Sequence, residues 1–114
     1  MVDDDPTLRL VIRMVLEGGG YEIDEAPQGK AALELMTSAI PDAVVADLRM
    51  PVMGGLELIR RMRAETATER VPVVVLTGVA DIGDVTHLAG AVLVKPFEPA
   101  DLLSTLGELL SAGS

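Results

Sequence analysis

Five side chains suited to metal or phosphoryl chemistry lie at the ends of short apolar runs. Asp3 and Asp4 come close to the start, Asp47 ends the run AVVAD, Thr77 ends VPVVVLT, and Lys95 follows AVLV. If each run is a parallel strand, these residues lie at the carboxyl edge of one sheet, where such sheets bind ligands. We therefore expect three carboxylates, a hydroxyl and an ammonium group to lie close together.

This set of groups indicates phosphoryl transfer to an aspartate. Clustered carboxylates repel one another, so the site is stable when a cation occupies it, and a small set of oxygen ligands with retained waters favours Mg²⁺. Beside a metal ion, Asp47 can attack as a nucleophile, while Thr77 and Lys95 neutralise charge on the phosphoryl oxygens. No general base is needed, because an aspartate is ionised at neutral pH.

Amphipathic stretches separate the apolar runs. They predict helices over 6–17, 28–40, 55–65, 81–88 and 99–111. The apolar runs predict strands over 21–25, 43–47, 71–77 and 91–94. Continuous apolar strands between amphipathic helices indicate a parallel sheet covered on both faces, which is a doubly wound α/β fold. The 114 residues fit one domain, 1–114.

The helical periodicity also predicts which side chains face the core. For the first helix these are Leu8, Val11, Ile12 and Val15. For the second they are Ala32, Leu35, Met36 and Ala39. The strand over 43–47 is expected to be fully buried, and the strands over 71–77 and 91–94 are expected to be buried.

Composition excludes several classes of function. A formal net charge of -9 argues against nucleic-acid binding, because phosphate backbones are held by clustered Lys and Arg. The absence of cysteine excludes a disulfide framework and a thiolate metal site, and it fits a reducing cytoplasm. There is no apolar run of membrane-spanning length and no signal peptide. We expect a cytoplasmic domain that binds neither membranes nor nucleic acid.

Four motifs resemble the receiver domain of two-component response regulators. They are VDDDP at 2–6, DLRMPVMGG at 47–55, LTG at 76–78 and VKPF at 94–97. Their order and separations match the family, and the resemblance covers essentially the whole chain. It implies a five-stranded, flavodoxin-like sheet of strand order 2-1-3-4-5. This chain should have a truncated first strand, because only Met1 and Val2 precede the acids, and a short fourth helix.

The resemblance also implies a metal site and a phosphoacceptor. Asp47 would accept a phosphoryl group from the phosphohistidine of a histidine kinase or phosphotransfer protein. Asp4 and Asp47 would bind Mg²⁺ directly, the backbone carbonyl of Arg49 would be a further ligand, and Asp3 would act through water.

The resemblance assigns the remaining site residues to the phosphoryl group. Thr77 would hydrogen-bond it and Lys95 would pair with it, and the Lys95–Pro96 bond would be cis. The domain would catalyse only its own phosphorylation and dephosphorylation, switch its conformation or partner binding, and could form a homodimer. Val92 stands where many receivers place a switching aromatic ring, so coupling from Thr77 to such a ring cannot operate here.

Alternative functions remain at this stage. The truncated first strand and the short connection between Thr77 and Ala91 make a degenerate receiver, acting only as a protein-interaction module, the main alternative. An aspartyl-phosphate hydrolase would need an acid two residues after the nucleophile, where Arg49 stands. A flavin-binding domain would need a phosphate-binding loop after the first strand, where Asp4 and Asp5 would repel phosphate. The sequence leaves open whether the domain stands alone or belongs to a longer kinase or regulator.

Other charged residues are expected to have structural roles. Asp5 is interpreted as a helix cap. His87 is expected to be an exposed helical residue. Arg60, Arg61 and Arg63 are expected to form a solvated helix face, with a weaker interpretation as part of a kinase-docking surface.

Overall fold

The computed structural model describes residues 1–48, 53–78 and 88–112. Within these residues the helices are α1 (Pro6–Gly18), α2 (Gly29–Met36), α3 (Gly55–Ala64) and α4 (Pro99–Ala112). The strands are β1 (Val44–Asp47), β2 (Val73–Thr77) and β3 (Ala91–Val94). Each lies within two residues of the bounds predicted from the sequence, except α2, which was predicted to continue to Ile40.

The strands form a parallel sheet in the order β1-β2-β3. Val2 extends this sheet beyond β1, because its N–H donates to the Val45 carbonyl at 2.8 Å and its carbonyl accepts the Asp47 N–H at 2.9 Å. Ala26 bridges to the other side of Val2. The backbone order is therefore Ala26, Val2, β1, β2, β3, which follows the predicted 2-1-3-4-5 order with the first strand reduced to one bridging residue.

The prediction of a strand over residues 21–25 is wrong. Residues 21–25 form no ladder, and only Ala26 makes a bridge.

Helices cover both faces of the sheet, which confirms the doubly wound fold. Alternate side chains of β2 point to opposite faces, as a pleated strand requires. Val73 and Val75 pack in one core with residues of α2 and α3. Val74 and Leu76 pack in the second core with residues of α1 and α4.

The inner faces of α1 and α2 are narrower than predicted. Ile12 and Leu16 are the buried residues of α1, whereas Val11 is 50% exposed. Successive helical residues turn by about 100°, so centring the face on Ile12 and Leu16 carries Val11 toward solvent. In α2 the buried side chains are Ala32 and Met36, whereas Leu35 is 47% exposed.

β3 is less buried than predicted. Within the described residues it pairs with β2 alone, so it forms an edge, and Val94 is 41% exposed. The short helix predicted over 81–88 lies, apart from Leu88, outside the described residues. None of the helices among residues 1–48, 53–78 and 88–112 has the length and apolarity to cross a membrane.

Candidate functional site

The parallel register brings the predicted site residues to one edge. Asp47, the last residue of β1, pairs with Leu76, and Thr77, the last residue of β2, pairs with Val94. The Lys95 N–H donates to the Thr77 carbonyl at 2.7 Å. The ends of three neighbouring strands therefore lie side by side.

Three carboxylates meet at this edge. Asp3, Asp4 and Asp47 each place a carboxylate oxygen within 4.8 Å of the others. Lys95 Nζ lies 3.4 Å from Asp47 Oδ2. The structure thus brings together four of the residues predicted from the sequence.

The remaining predicted residues have mixed outcomes. Thr77 is 3% exposed at the end of β2, next to Asp47 in the strand order. Arg49 and His87 lie outside the described residues. The Lys95–Pro96 peptide bond is cis, as predicted. Asp5 caps α1, since its side chain accepts hydrogen bonds from the N–H groups of Thr7 and Leu8.

The acid site fits a divalent cation. The Asp3 side chain is fully buried, and its Oδ1 accepts the Asp5 N–H at 2.9 Å. Among residues 1–48, 53–78 and 88–112, its Oδ2 has no hydrogen-bond partner. Burial raises the pKa of Asp3, and the nearby charges of Asp47 and Asp4 raise it further. The hydrogen bond from the Asp5 N–H and the positive charge of Lys95 lower this pKa, but their effect is smaller than the rise. A buried carboxylate oxygen without a partner is costly. A hard cation beside these oxygens would remove that cost.

Gly55, the first residue of α3, packs closely against the backbone of Asp47 and Leu48. A Cβ on Gly55 would lie 2.6 Å from the Asp47 carbonyl oxygen and 3.0 Å from the Leu48 Cα. The Gly55 N–H donates to the Leu48 carbonyl at 2.9 Å. The chain can therefore return to α3 this close to Asp47 only because residue 55 has no side chain.

Met53, two residues before α3, contacts the start of α2. The Gly29 N–H donates to the Met53 carbonyl at 3.1 Å, and a Cβ on Gly29 would lie 2.9 Å from that oxygen. A side chain at position 29 would therefore clash with the Met53 backbone.

Arg9 also contacts the site, although sequence reasoning did not single it out. Its Nη1 donates to the Asp3 carbonyl at 2.8 Å, and its Nε lies 3.4 Å from Glu25 Oε1. The sequence contained a signal for this contact. Arg9 lies one turn into the helix that begins directly after the acids, which places it close to them.

Arg63 was predicted to lie on a solvated face of α3, and this prediction is wrong. Its guanidinium donates to the carbonyls of Leu88, Thr68, Glu69 and Val71. Burial lowers its pKa. The side chain therefore reaches the carbonyl of Leu88 and those of the turn after α3 rather than pointing into solvent.

Comparison with known proteins gives one family. The sequence profile described as the response regulator receiver domain matches residues 1–107. The chain is 40% identical over 114 residues to the response regulator MprA of Mycolicibacterium vanbaalenii, covering 96% of this chain and 48% of that protein. It is 35% identical over 115 residues to the sensor histidine kinase TmoS of Ectopseudomonas mendocina, covering 97% of this chain and 12% of that protein.

Solved structures show the same similarity. The receiver domain of the sensor histidine kinase PA1611 from Pseudomonas aeruginosa PAO1 superimposes with a TM-score of 0.89 at 31% identity, over 96% of this chain and 93% of that one. That structure has a magnesium ion coordinated in its active-site cleft. The chemotaxis protein CheY4 of Vibrio cholerae superimposes with a TM-score of 0.86 at 32% identity, covering 95% of this chain and 93% of that one.

Proposed function

Because the chain belongs to the response regulator receiver domain family, we propose that Asp47 is the phosphoacceptor of a Mg²⁺-dependent phosphoryl transfer. The observation that carries this proposal is the meeting of Asp3, Asp4 and Asp47 within 4.8 Å, with Lys95 Nζ 3.4 Å from Asp47. Receiver domains act in two-component systems, so the phosphoryl donor would be a histidine kinase or a phosphotransfer protein.

The proposal assigns the acids to the metal. Asp4 and Asp47 would bind Mg²⁺ directly, and Asp3 would act through water. The Arg49 carbonyl, which lies outside the described residues, completes the proposed set. When bound, the ion supplies positive charge that offsets the charge of the phosphoryl oxygens.

The protein's own groups would carry the transfer. A carboxylate oxygen of Asp47 forms the new O–P bond as the P–N bond of the phosphohistidine breaks, and its electron pair returns to the imidazole nitrogen. Lys95 would pair with the transferred group, and the Thr77 hydroxyl would hydrogen-bond it. No proton has to be removed from the nucleophile, because an ionised carboxylate is already nucleophilic.

The same assignment limits the catalytic role of the domain. It would catalyse only its own phosphorylation and dephosphorylation, and its output would be a changed conformation or partner, including a second copy. The chain spans only part of the two curated relatives described above, so the activity of any longer protein is also a proposal.

The cysteine-free composition supports a cytoplasmic location. The division of residues 1–114 as one domain stays a prediction.

Acetyl phosphate tests the proposal directly. The protein should take up one alkali-labile phosphoryl group when Mg²⁺ is present, and uptake should be lost with EDTA or in Asp47→Asn. Asp42→Asn is the matched control, since it removes the same charge from an exposed residue just before β1. If the folded protein takes up no phosphate, the proposal is refuted. If it also binds no Mg²⁺, the alternative function is favoured, which is a degenerate receiver that acts only as a protein-interaction module.

A further inference from the structure

Every polar group of Asp3 except one carboxylate oxygen is held by a different part of the chain. Its N–H donates to the Ala26 carbonyl at 3.1 Å, and its carbonyl accepts from Arg9 Nη1 at 2.8 Å. Its Oδ1 accepts the Asp5 N–H at 2.9 Å. The Asp3 carbonyl belongs to the peptide group that joins Asp3 to Asp4, so rotation of that group would move both acids.

A partly buried ion pair holds Arg9 in place. Glu25 Oε1 lies 3.4 Å from Arg9 Nε, and the two side chains are 24% and 26% exposed. Glu25 also pairs with Arg13, which pairs in turn with Glu17 at 2.6 Å. Glu25 directly precedes Ala26, whose carbonyl holds the Asp3 N–H, so both backbone bonds of Asp3 depend on this short segment.

We propose that Arg9 is a positioning residue that holds the Asp3–Asp4 peptide group in the orientation that binds Mg²⁺. This inference rests on the proposed function, because the acids matter here as metal ligands. Arg9 acts through the backbone and contacts neither the metal nor the phosphoryl group. Removing an outer partner of this kind from a metal site costs about tenfold or more in metal affinity.

Charge and geometry predict opposite effects at Arg9. If its positive charge were the main influence on the acid site, removing it would strengthen cation binding by relieving repulsion. The Glu25 carboxylate offsets that charge at close range, which leaves the hydrogen bond to the Asp3 carbonyl as the larger contribution. The inference is therefore that loss of Arg9 weakens Mg²⁺ binding.

Magnesium titration of the full chain separates the two accounts. Arg9→Gln should bind Mg²⁺ about tenfold more weakly than the wild type by isothermal titration calorimetry. Arg9→Lys keeps the charge but loses the planar fork that reaches both partners, so it should also bind more weakly. Arg13→Gln is the matched control and should bind within about twofold of the wild type, because Arg13 pairs with the same Glu25 but does not contact Asp3.

Hydrogen exchange in the metal-free protein provides a second readout. The Asp3 and Asp5 amides should exchange faster in Arg9→Gln than in Arg13→Gln, because the first variant frees the peptide group that positions them. Equal or tighter Mg²⁺ binding by Arg9→Gln would overturn the inference. If Arg9→Gln does not fold, unchanged binding by Arg9→Lys would overturn it instead.

The two proposals can fail separately. A wild-type protein that binds no Mg²⁺ would refute the metal assignment of the proposed function. Unchanged affinity in both Arg9 variants, beside a wild type that binds Mg²⁺, would refute only the role of Arg9.

Discussion

Lys95 Nζ lies 3.4 Å from Asp47 Oδ2, although the two residues are 48 positions apart in the chain. The side chains are 30% and 14% exposed, so solvent screens the pair only in part. The ammonium group offsets one of the charges in the acid cluster, and it therefore competes with any metal cation for the same carboxylates.

Lys95→Met should strengthen Mg²⁺ binding while weakening phosphoryl uptake. Removal of a nearby positive charge should favour the cation by about 1–2 kcal/mol, which is roughly five- to thirtyfold in affinity. The transferred phosphoryl group would lose its pairing cation. Calorimetry and acetyl phosphate uptake measure the two effects. Arg70→Met, which removes one charge just before Val71 and β2, should change neither. Weaker Mg²⁺ binding by Lys95→Met would contradict this account.

Asp3→Asn should stabilise the metal-free protein by about 1–3 kcal/mol at neutral pH, because it removes a buried charge with an unpartnered oxygen. The raised pKa of Asp3 means that the folded state binds its proton more tightly than the unfolded state. Wild-type stability should therefore fall as pH rises above the ordinary value of 3.8 through the raised pKa. Asp3→Asn should lack this fall.

Urea denaturation with EDTA at several pH values measures the Asp3 effect. Glu108→Gln is the control, since it removes the same charge from an exposed position of α4. Mg²⁺ should reverse the order of stability by stabilising the wild type more than Asp3→Asn. A destabilised Asp3→Asn without metal would show that the carboxylate is not under strain.

Gly55→Ala should destabilise the protein by about 1–3 kcal/mol, the usual cost of forcing an atom into a packed site. The added Cβ would lie 2.6 Å from the backbone oxygen of Asp47, which cannot rotate away as a flexible side chain can. Gly107→Ala makes the same change in α4 with nothing within 4 Å, and it should be neutral or stabilising. Thermal unfolding compares the two. Equal midpoints would mean that the backbone of Asp47 and Leu48 can shift to admit the added methyl group.

Arg63→Met should cost about 2–4 kcal/mol of unfolding free energy, because it leaves three partly buried carbonyls, those of Leu88, Thr68 and Val71, without this donor. Arg61→Met on the same helix should cost under about 1 kcal/mol, since Arg61 pairs with Glu57 at 3.0 Å and both side chains are exposed. Chemical denaturation distinguishes the two arginines, and similar costs would count against the role of Arg63 in holding the turn after α3.

Local patterns in the sequence determined most of the helices and strands and which side chains meet at the edge of the sheet. Pro6, after the capping Asp5, starts α1 where predicted, and the run AVLV became β3 with the predicted bounds. The carboxylates, Thr77 and Lys95 could be selected because parallel strands end at one edge, so position in the chain implies position in space. Those inferences need only periodicity and topology.

Only the tertiary structure decided which side chains are buried and what they contact. Val11, Leu35 and β3 were expected to be buried, but exposure depends on how far a neighbouring helix or strand extends over them. The contacts of Arg9 with the Asp3 carbonyl and of Arg63 with the turn after α3 involve backbone oxygens, which every residue carries. A residue pattern cannot identify such an acceptor, because the acceptor is selected by the folded path of the chain and not by the type of side chain.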